Sequence, residues 1–438
     1  MKIYLLLCLG LLISSDLMAN VLITKSNLGR PLIFNSYAKK TNGLYNFSKA
    51  FEVSFSKSSD KIILKSRNGD IYYEFDILDS SREGYTVDFN TGVDSVQFQS
   101  SIYKSELSLD HPQLKKYILP KTVFNTVEII ENSPKRLFVK IDLNVPSYDS
   151  FYFEVTQSRT KGFRASNLSR QSDVGYYATY PNDNAELFAS KQKLVTTYLY
   201  DQNFPEELLA PLKSAVAYWN RALGANFIRL KKAASHDQAL KVNTHYIDYY
   251  ENRDDDGGAR GIFSLMPSTG EIISSYIYVP SGFKVWGKKY FVEKYPNLSS
   301  DKINQMVLDY LTHTLAHEIG HTLGIRHNFA ASTQSNITAL NYESVFKTYI
   351  NTLKIEESII PSTSSMDYIS IDYFALIGAK MRLNHEPLEY DKKAVQWLYL
   401  DLDIIDFGNF CTHYDEPPTV NRGGNLFCQA WDEPHLTQ

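Results

Sequence analysis

Short runs in which apolar and polar positions alternate fill the chain from residue 21 to about 185, the period of half-buried strands. Segments 61–64 and 71–75 flank Asn68-Gly69-Asp70, a turn signal between β-forming runs, and 136–145 and 150–155 repeat the pattern across the polar turn 146–149. No repeat of fixed length emerges. The pattern predicts an antiparallel β domain with one face on a core. Residues 159–189, with Gly162, Gly175 and Pro181, read as the linker that follows it.

Beyond the linker the period changes. Segment 205–223 places Leu208, Leu212, Val216, Trp219 and Leu223 on one stripe of a helix ending near Gly224, with Pro211 a source of a kink or shift in its first turn. Strands are expected at 195–200, 226–230 and 242–250. The extended runs 261–265 and 271–279 surround Pro267-Ser268-Thr269-Gly270 and read as a hairpin. A long helix starts at Asp301, a negative charge at its positive end, and buries Ile303, Met306, Val307, Tyr310 and Leu311. Further helices are expected at 342–357 and 391–400, the second with Asp391 as N-cap and Ala394, Val395 and Leu398 on its inner side.

Length and charge narrow the classes. A chain of 438 residues points to two domains. Net charge is −4, with 45 basic against 49 acidic residues and no long basic run, so a nucleic-acid partner has no electrostatic footprint. Lys2, the apolar run 3–13 and Leu17-Met18-Ala19 have the form of a secretory signal cleaved after Ala19. No later run reaches the roughly 18 apolar residues of a transmembrane helix. These features predict an exported protein, periplasmic or secreted. After cleavage Cys411 and Cys428 remain, and in an exported chain the pair reads as a disulfide closing a Pro- and Gly-containing loop. The acidic stretch 252–258 reads as a solvated surface turn, with a calcium site the alternative, although it lacks the alternating spacing of a calcium-binding loop.

The chemistry concentrates in His317-Glu318-Ile319-Gly320-His321-Thr322-Leu323-Gly324-Ile325-Arg326-His327. Residues four apart share a helix face, so His317 and His321 can converge on one ion with Glu318 within reach of its water. A catalytic zinc takes three protein ligands and keeps a position for water. His327 is the candidate third ligand, and Gly324 can end the helix and turn the chain back toward the metal. His313 also lies four residues from His317, but Glu318, Gly324 and His327 all fit the later pair, which leaves His313 a packing or supporting role. Arg326 fits an exposed loop or a substrate-facing position equally well.

This pattern resembles the metzincin clan of zinc endopeptidases. Ser365-Met366-Asp367-Tyr368 is similar to the clan's methionine turn, and the strings HEIGHTLGIRHNFAAS at 317–332 and SSMDY at 364–368 most resemble a bacterial group of secreted zinc-dependent metzincins. The resemblance runs from about residue 195 onward and says nothing of the first domain. It implies that Met366 floors the metal pocket, that Tyr368 supplies a further ligand or hydrogen bond, and that an edge strand before the long helix pairs with substrate backbone. Asp367 is a candidate to buttress the turn or orient a histidine.

The expectation is therefore an α+β protein: a signal peptide at 1–19, an antiparallel β-rich domain of open role at 20–185, and a metzincin-like α/β catalytic domain at 186–438 ending in the disulfide-bearing tail. Its function would be zinc-dependent hydrolysis of peptide bonds in exported or host proteins, with Glu318 as base. The alternative is a latent or non-catalytic zinc-containing surface or scaffold protein. No thiol precedes the long helix once the signal is removed, so a cysteine-switched latent form is disfavoured.

Overall fold

A computed structural model describes residues 19–41, 45–47, 50–66, 68–102, 113–157, 196–236, 238, 244–251, 258–265 and 272–400. The signal segment, the 159–189 linker with the 185/186 boundary, most of the acidic turn, the 267–270 turn, Cys411 and Cys428 lie outside the described residues. The chain divides into two compact units, one from segments within 1–157 and one from 158–438 together with 47–51 and 100–115.

Among the described residues, twelve strands precede residue 158: β1 (Asn20–Thr24), β2 (Leu32–Lys40), β3 (Tyr45–Phe47), β4 (Phe51–Ser58), β5 (Lys61–Ser66), β6 (Ile71–Ser80), β7 (Gly84–Asp88), β8 (Ser95–Ile102), β9 (Gln113–Pro120), β10 (Phe124–Ser133), β11 (Arg136–Val145) and β12 (Tyr148–Gln157). Ten of them form one sheet in the order β1-β7-β6-β5-β4-β2-β12-β11-β10, with β3 on β2, while β8 and β9 pair separately. Both expected hairpins are present. The first pairs β5 with β6 around Gly69, and the second pairs β11 with β12 in antiparallel register. Sheet closure is almost complete. The side-chain amide of Asn132 on β10, oriented to suit its neighbours, meets both the N–H (2.7 Å) and the carbonyl (3.1 Å) of Leu22 on β1, so a side chain caps main-chain groups where the two edge strands meet. Phe153 centres an aromatic core, with ring centroids 5.0 Å from Phe34, 5.3 Å from Tyr73 and 5.1 Å from Phe89.

In the second unit, β13 (Thr196–Tyr200), β14 (Ile228–Lys232), β15 (His245–Tyr250), β16 (Arg260–Leu265) and β17 (Ile272–Pro280) form a sheet ordered β14-β13-β15-β17-β16. All neighbours are parallel except β16, which runs antiparallel to β17 at the edge. Of the two strands that could form a rim, β16 is the edge and β17 the interior one. The first helix follows a 3-10 turn, Glu206–Leu208, and runs Leu209–Ala222. Pro211 sits in its first turn, where the missing N–H is unpaired in any case. Leu212, Val216 and Trp219 are buried as the stripe predicts.

The long helix Ser300–Thr322 is capped by Ser299, whose hydroxyl accepts the Lys302 N–H. Every residue from Asp309 to Thr322 is buried, so no face of that half meets solvent. It packs against Leu209–Ala222, Ser281–Lys294, Ile371–Arg382 and β16. The helix Ile371–Arg382 escaped the sequence pattern because it is buried almost all round, and Ser281–Lys294 escaped because it buries little beyond Phe291 and leaves Val285, Trp286 and Val292 exposed. The helix expected at 342–357 stops at Thr352, where Leu353 adopts a left-handed conformation with φ 54°. No helix among the described residues is long and apolar enough to cross a membrane.

Candidate metal centre

The last two turns of the long helix carry His317 and His321, both buried. The helix then terminates as glycine allows. Gly324 takes φ 87°, its N–H reaches the His321 carbonyl at 2.9 Å, and the Ile325 N–H closes onto Gly320 at 3.1 Å. That reversal returns His327 to the helix end, with Nε2 3.1 Å from Nε2 of both His317 and His321.

The tautomers follow from the other ring nitrogens. Nδ1 of His317 lies 2.9 Å from the Ser365 carbonyl and Nδ1 of His321 lies 2.9 Å from the Ile325 carbonyl. A carbonyl only accepts, so both Nδ1 atoms carry the proton and both Nε2 atoms present lone pairs. A proton on His327 Nε2 could satisfy one of them, not both. A cation shared by the three nitrogens satisfies all, and imidazole donors with Nδ1–H held on carbonyls suit zinc. Burial, with repulsion from His321 and His313, holds His317 well below the usual histidine range, which keeps it neutral as a ligand must be.

Glu318 points from the same turn and is buried. Desolvation pushes its carboxyl up to about 8, opposed by a hydrogen bond from the Gly261 N–H and by the charge of Arg260. Gly261 is the second residue of β16, and a Cβ there would fall 2.5 Å from the Glu318 carbonyl and 3.2 Å from His321 Cβ. Glycine thus lets the edge strand lie directly on the histidine-bearing turn. Sequence reading gave Gly261 only as the start of a strand.

Met366 is fully buried beneath this turn. A Cβ on Gly320 would stand 2.4 Å from Met366 Sδ and 2.8 Å from Trp219, whose Nε1 donates to the Ala316 carbonyl at 2.8 Å. The Asn328 N–H reaches the Met366 carbonyl at 3.0 Å and joins the His327 loop to the methionine turn.

Residues 299–405 match a family described as Met-zincin. The match covers the long helix, the three histidines and the Met366 turn, and leaves the first unit unmatched. No curated protein matches the chain. The chain is thus similar to this family over the segment that carries the histidine cluster.

Around the cluster, the Tyr368 ring lies 4.4 Å from His327 and 5.4 Å from His317, centroid to centroid. Asp367 is buried and accepts from Ser362 Oγ at 3.1 Å, which braces the turn. His313 stacks on Phe374 at 4.2 Å rather than joining the ligand set. Arg326 is buried, which corrects the exposed-loop reading.

Asp391 requires a second correction. Its helix runs Glu389–Leu400, and the residue serves as no N-cap. The fully buried carboxylate instead accepts from Ser364 Oγ (2.6 Å), Ser365 N–H (2.8 Å), Ser365 Oγ (2.6 Å) and Tyr218 OH (2.6 Å). Since the Ser365 carbonyl holds Nδ1 of His317, Asp391 is tied to the cluster through one residue. No local signal could have found it, because its partners lie at least 26 residues away. Gly320 did carry a signal: glycine inside a helix costs about 1 kcal/mol against alanine, and here it permits close approach.

Proposed function

We propose that this protein is a zinc-dependent endopeptidase, exported to the periplasm or beyond, that hydrolyses peptide bonds of exported or host proteins. The observation that carries the reading is the convergence of three imidazole Nε2 atoms at 3.1 Å beside the buried Glu318.

His317, His321 and His327 would hold zinc, which when bound supplies Lewis acidity toward water and the scissile carbonyl. Glu318 takes the proton of the attacking water at its carboxylate and returns it to the leaving amine, acting first as base and then as acid. Its raised pKa reflects desolvation by burial, and a nearby cation would favour the ionised form needed for the first step. The Gly261 N–H holds the carboxylate in place. Tyr368, whose ring lies beside His317 and His327, would supply a further ligand or hydrogen bond. The edge strand β16 offers main-chain groups to an extended peptide. A strand of substrate laid along that edge continues on both sides of the cut, hence an endopeptidase.

The test is digestion of a denatured proteome with the purified protein, read for new termini. Chelator-sensitive internal cuts that the Glu318→Gln variant does not make support the proposal. Release of terminal residues alone, or identical cuts from the variant, defeats it, and zinc binding without any cleavage favours a non-catalytic zinc protein.

A further inference from the structure

A second group of metal-capable side chains lies in the same unit and shares no residue with the histidine cluster. The strands β14, β13 and β15 are adjacent and parallel, and the group sits toward their C-terminal ends, where open α/β sheets place ligands. Asp201 follows the last residue of β13, Asp248 lies within β15, and His236 belongs to the loop leaving β14. His236 Nδ1 is 3.0 Å from Asp201 Oδ2 and 3.6 Å from Asp248 Oδ2, and the three atoms all lie within 4.8 Å of one another.

We propose that Asp201, His236 and Asp248 form a second zinc site that pins the ends of three parallel strands, distinct from the centre formed by His317, His321 and His327. Bonds of roughly 2.0–2.2 Å to a tetrahedral zinc place ligand atoms on the order of 3.4 Å apart. The observed 3.0 and 3.6 Å bracket that spacing as closely as the 3.1 Å separations of the histidine cluster do.

Charge balance points the same way. Both carboxylates are 4 % exposed, so their charges are withheld from water. A protonated His236 offers one positive charge against two negative ones, and its single Nδ1 proton is within hydrogen-bond range of Asp201 but not of Asp248. A divalent cation with a neutral imidazole brings the cluster to zero net charge.

The surroundings resemble the outer support of a metal site. Tyr246 OH donates to Asp201 Oδ2 at 2.5 Å, Tyr276 OH donates to Asp248 Oδ2 at 2.6 Å, and the Asn203 N–H occupies Asp201 Oδ1 at 2.7 Å. The two oxygens facing His236 are thus fixed by phenols and can still accept a metal, since a carboxylate oxygen has two lone pairs. The imidazole nitrogen argues against calcium and magnesium, which take oxygen ligands. One nitrogen with two carboxylates suits zinc.

The experiment strips the purified full chain with chelator, reloads it with zinc chloride, desalts it and counts zinc per chain by mass spectrometry. Two zinc ions are expected in the wild type, one in His236→Ala, one in His327→Ala and none in the double variant. In His327→Ala the zinc absorption edge should report one imidazole and oxygen neighbours. A single zinc in the wild type that His327→Ala removes and His236→Ala retains overturns this inference and leaves the proposed peptidase standing. A single zinc with the opposite dependence overturns the peptidase centre and supports the second site. Should His236→Ala fail to fold, His327→Ala decides alone: no retained zinc, or a retained zinc with an imidazole-rich shell, defeats the inference.

Discussion

Two clusters in one unit offer nearly the same ligand spacing, yet only one can be read from the chain. His317, His321 and His327 lie within eleven residues, where helix period and one glycine turn fix their geometry. Asp201, His236 and Asp248 span 48 residues and meet only because three strands lie side by side. Local geometry writes a motif into sequence; sheet topology does not. The difference extends to chemistry. The histidine cluster has a carboxylate, Glu318, beside it and the edge strand β16 next to it, the features that the proposed hydrolysis would use. The aspartate pair has phenols on the carboxylate oxygens that face His236 and parallel strands around it, in keeping with the structural role proposed for it.

The sharpest way to break that division is to damage each cluster and read turnover. Glu318→Gln removes the base while keeping size and zinc ligands, and kcat should fall by roughly 10²–10⁴ with zinc content unchanged. His321→Ala should lose both zinc and activity. His236→Ala should lower stability and leave kcat per folded, zinc-loaded molecule essentially unchanged. A large kcat loss in His236→Ala with a normal melting transition would show that the second cluster takes part in catalysis.

Asp391 tests whether the histidine cluster depends on remote support. Its carboxylate accepts four hydrogen bonds, and an amide in its place points N–H groups at donors. Asp391→Asn should loosen Ser365 and with it His317, weakening zinc affinity about 10–100-fold, the usual cost of an altered outer partner. Helix content should be unchanged, and unaltered zinc affinity would reduce Asp391 to a packing role.

How far the sequence carried depends on what each element must satisfy. The β5–β6 hairpin was legible because buried positions alternate with wetter ones around a turn signal, the β11–β12 hairpin because two β-forming runs flank a polar turn although both faces of β12 are buried, and the Leu209–Ala222 helix because it is striped. Helix Ile371–Arg382 has no wet face, so its burial erased the period. Near-closure of the first sheet rests on Asn132 meeting Leu22, a contact across 110 residues that leaves no local trace. Around the candidate site, the three histidines and Glu318 follow from spacing, whereas Gly261, Asp391 and Trp219 enter through tertiary packing alone.

Gly320 shows how tightly the histidine-bearing turn is packed. A methyl group there meets Met366 Sδ at 2.4 Å and Trp219 at 2.8 Å. Gly320→Ala should therefore destabilise the second unit by about 1–3 kcal/mol despite alanine's better helix propensity. Chemical denaturation of the zinc-free protein isolates this effect from metal binding. A stabilised variant would mean that Met366 and the Trp219 ring move aside without cost, and that the pocket floor is softer than the contacts indicate.

The smallest expected effect concerns a buried histidine that belongs to neither cluster. His245 on β15 stacks on Tyr198 at 4.7 Å, lies 2.7 Å from Ser275 Oγ through Nδ1, and is pushed down to about 3 by burial. The unfolded chain takes up a proton near pH 6.5 and the folded chain does not, so below that pH the unfolded state binds more protons and folding weakens as pH falls. Between pH 6.5 and 5.5 this one side chain should remove about 1 kcal/mol of stability. His245→Asn keeps a polar atom near Nδ1 and cannot titrate. Its unfolding free energy, measured at both pH values in zinc-free protein, should fall by about 1 kcal/mol less than that of the wild type over that interval. Equal pH slopes in the two proteins would mean that the imidazole gains a proton in the folded state, and burial alone could then no longer separate a packing histidine from the candidate ligand histidines of the cluster.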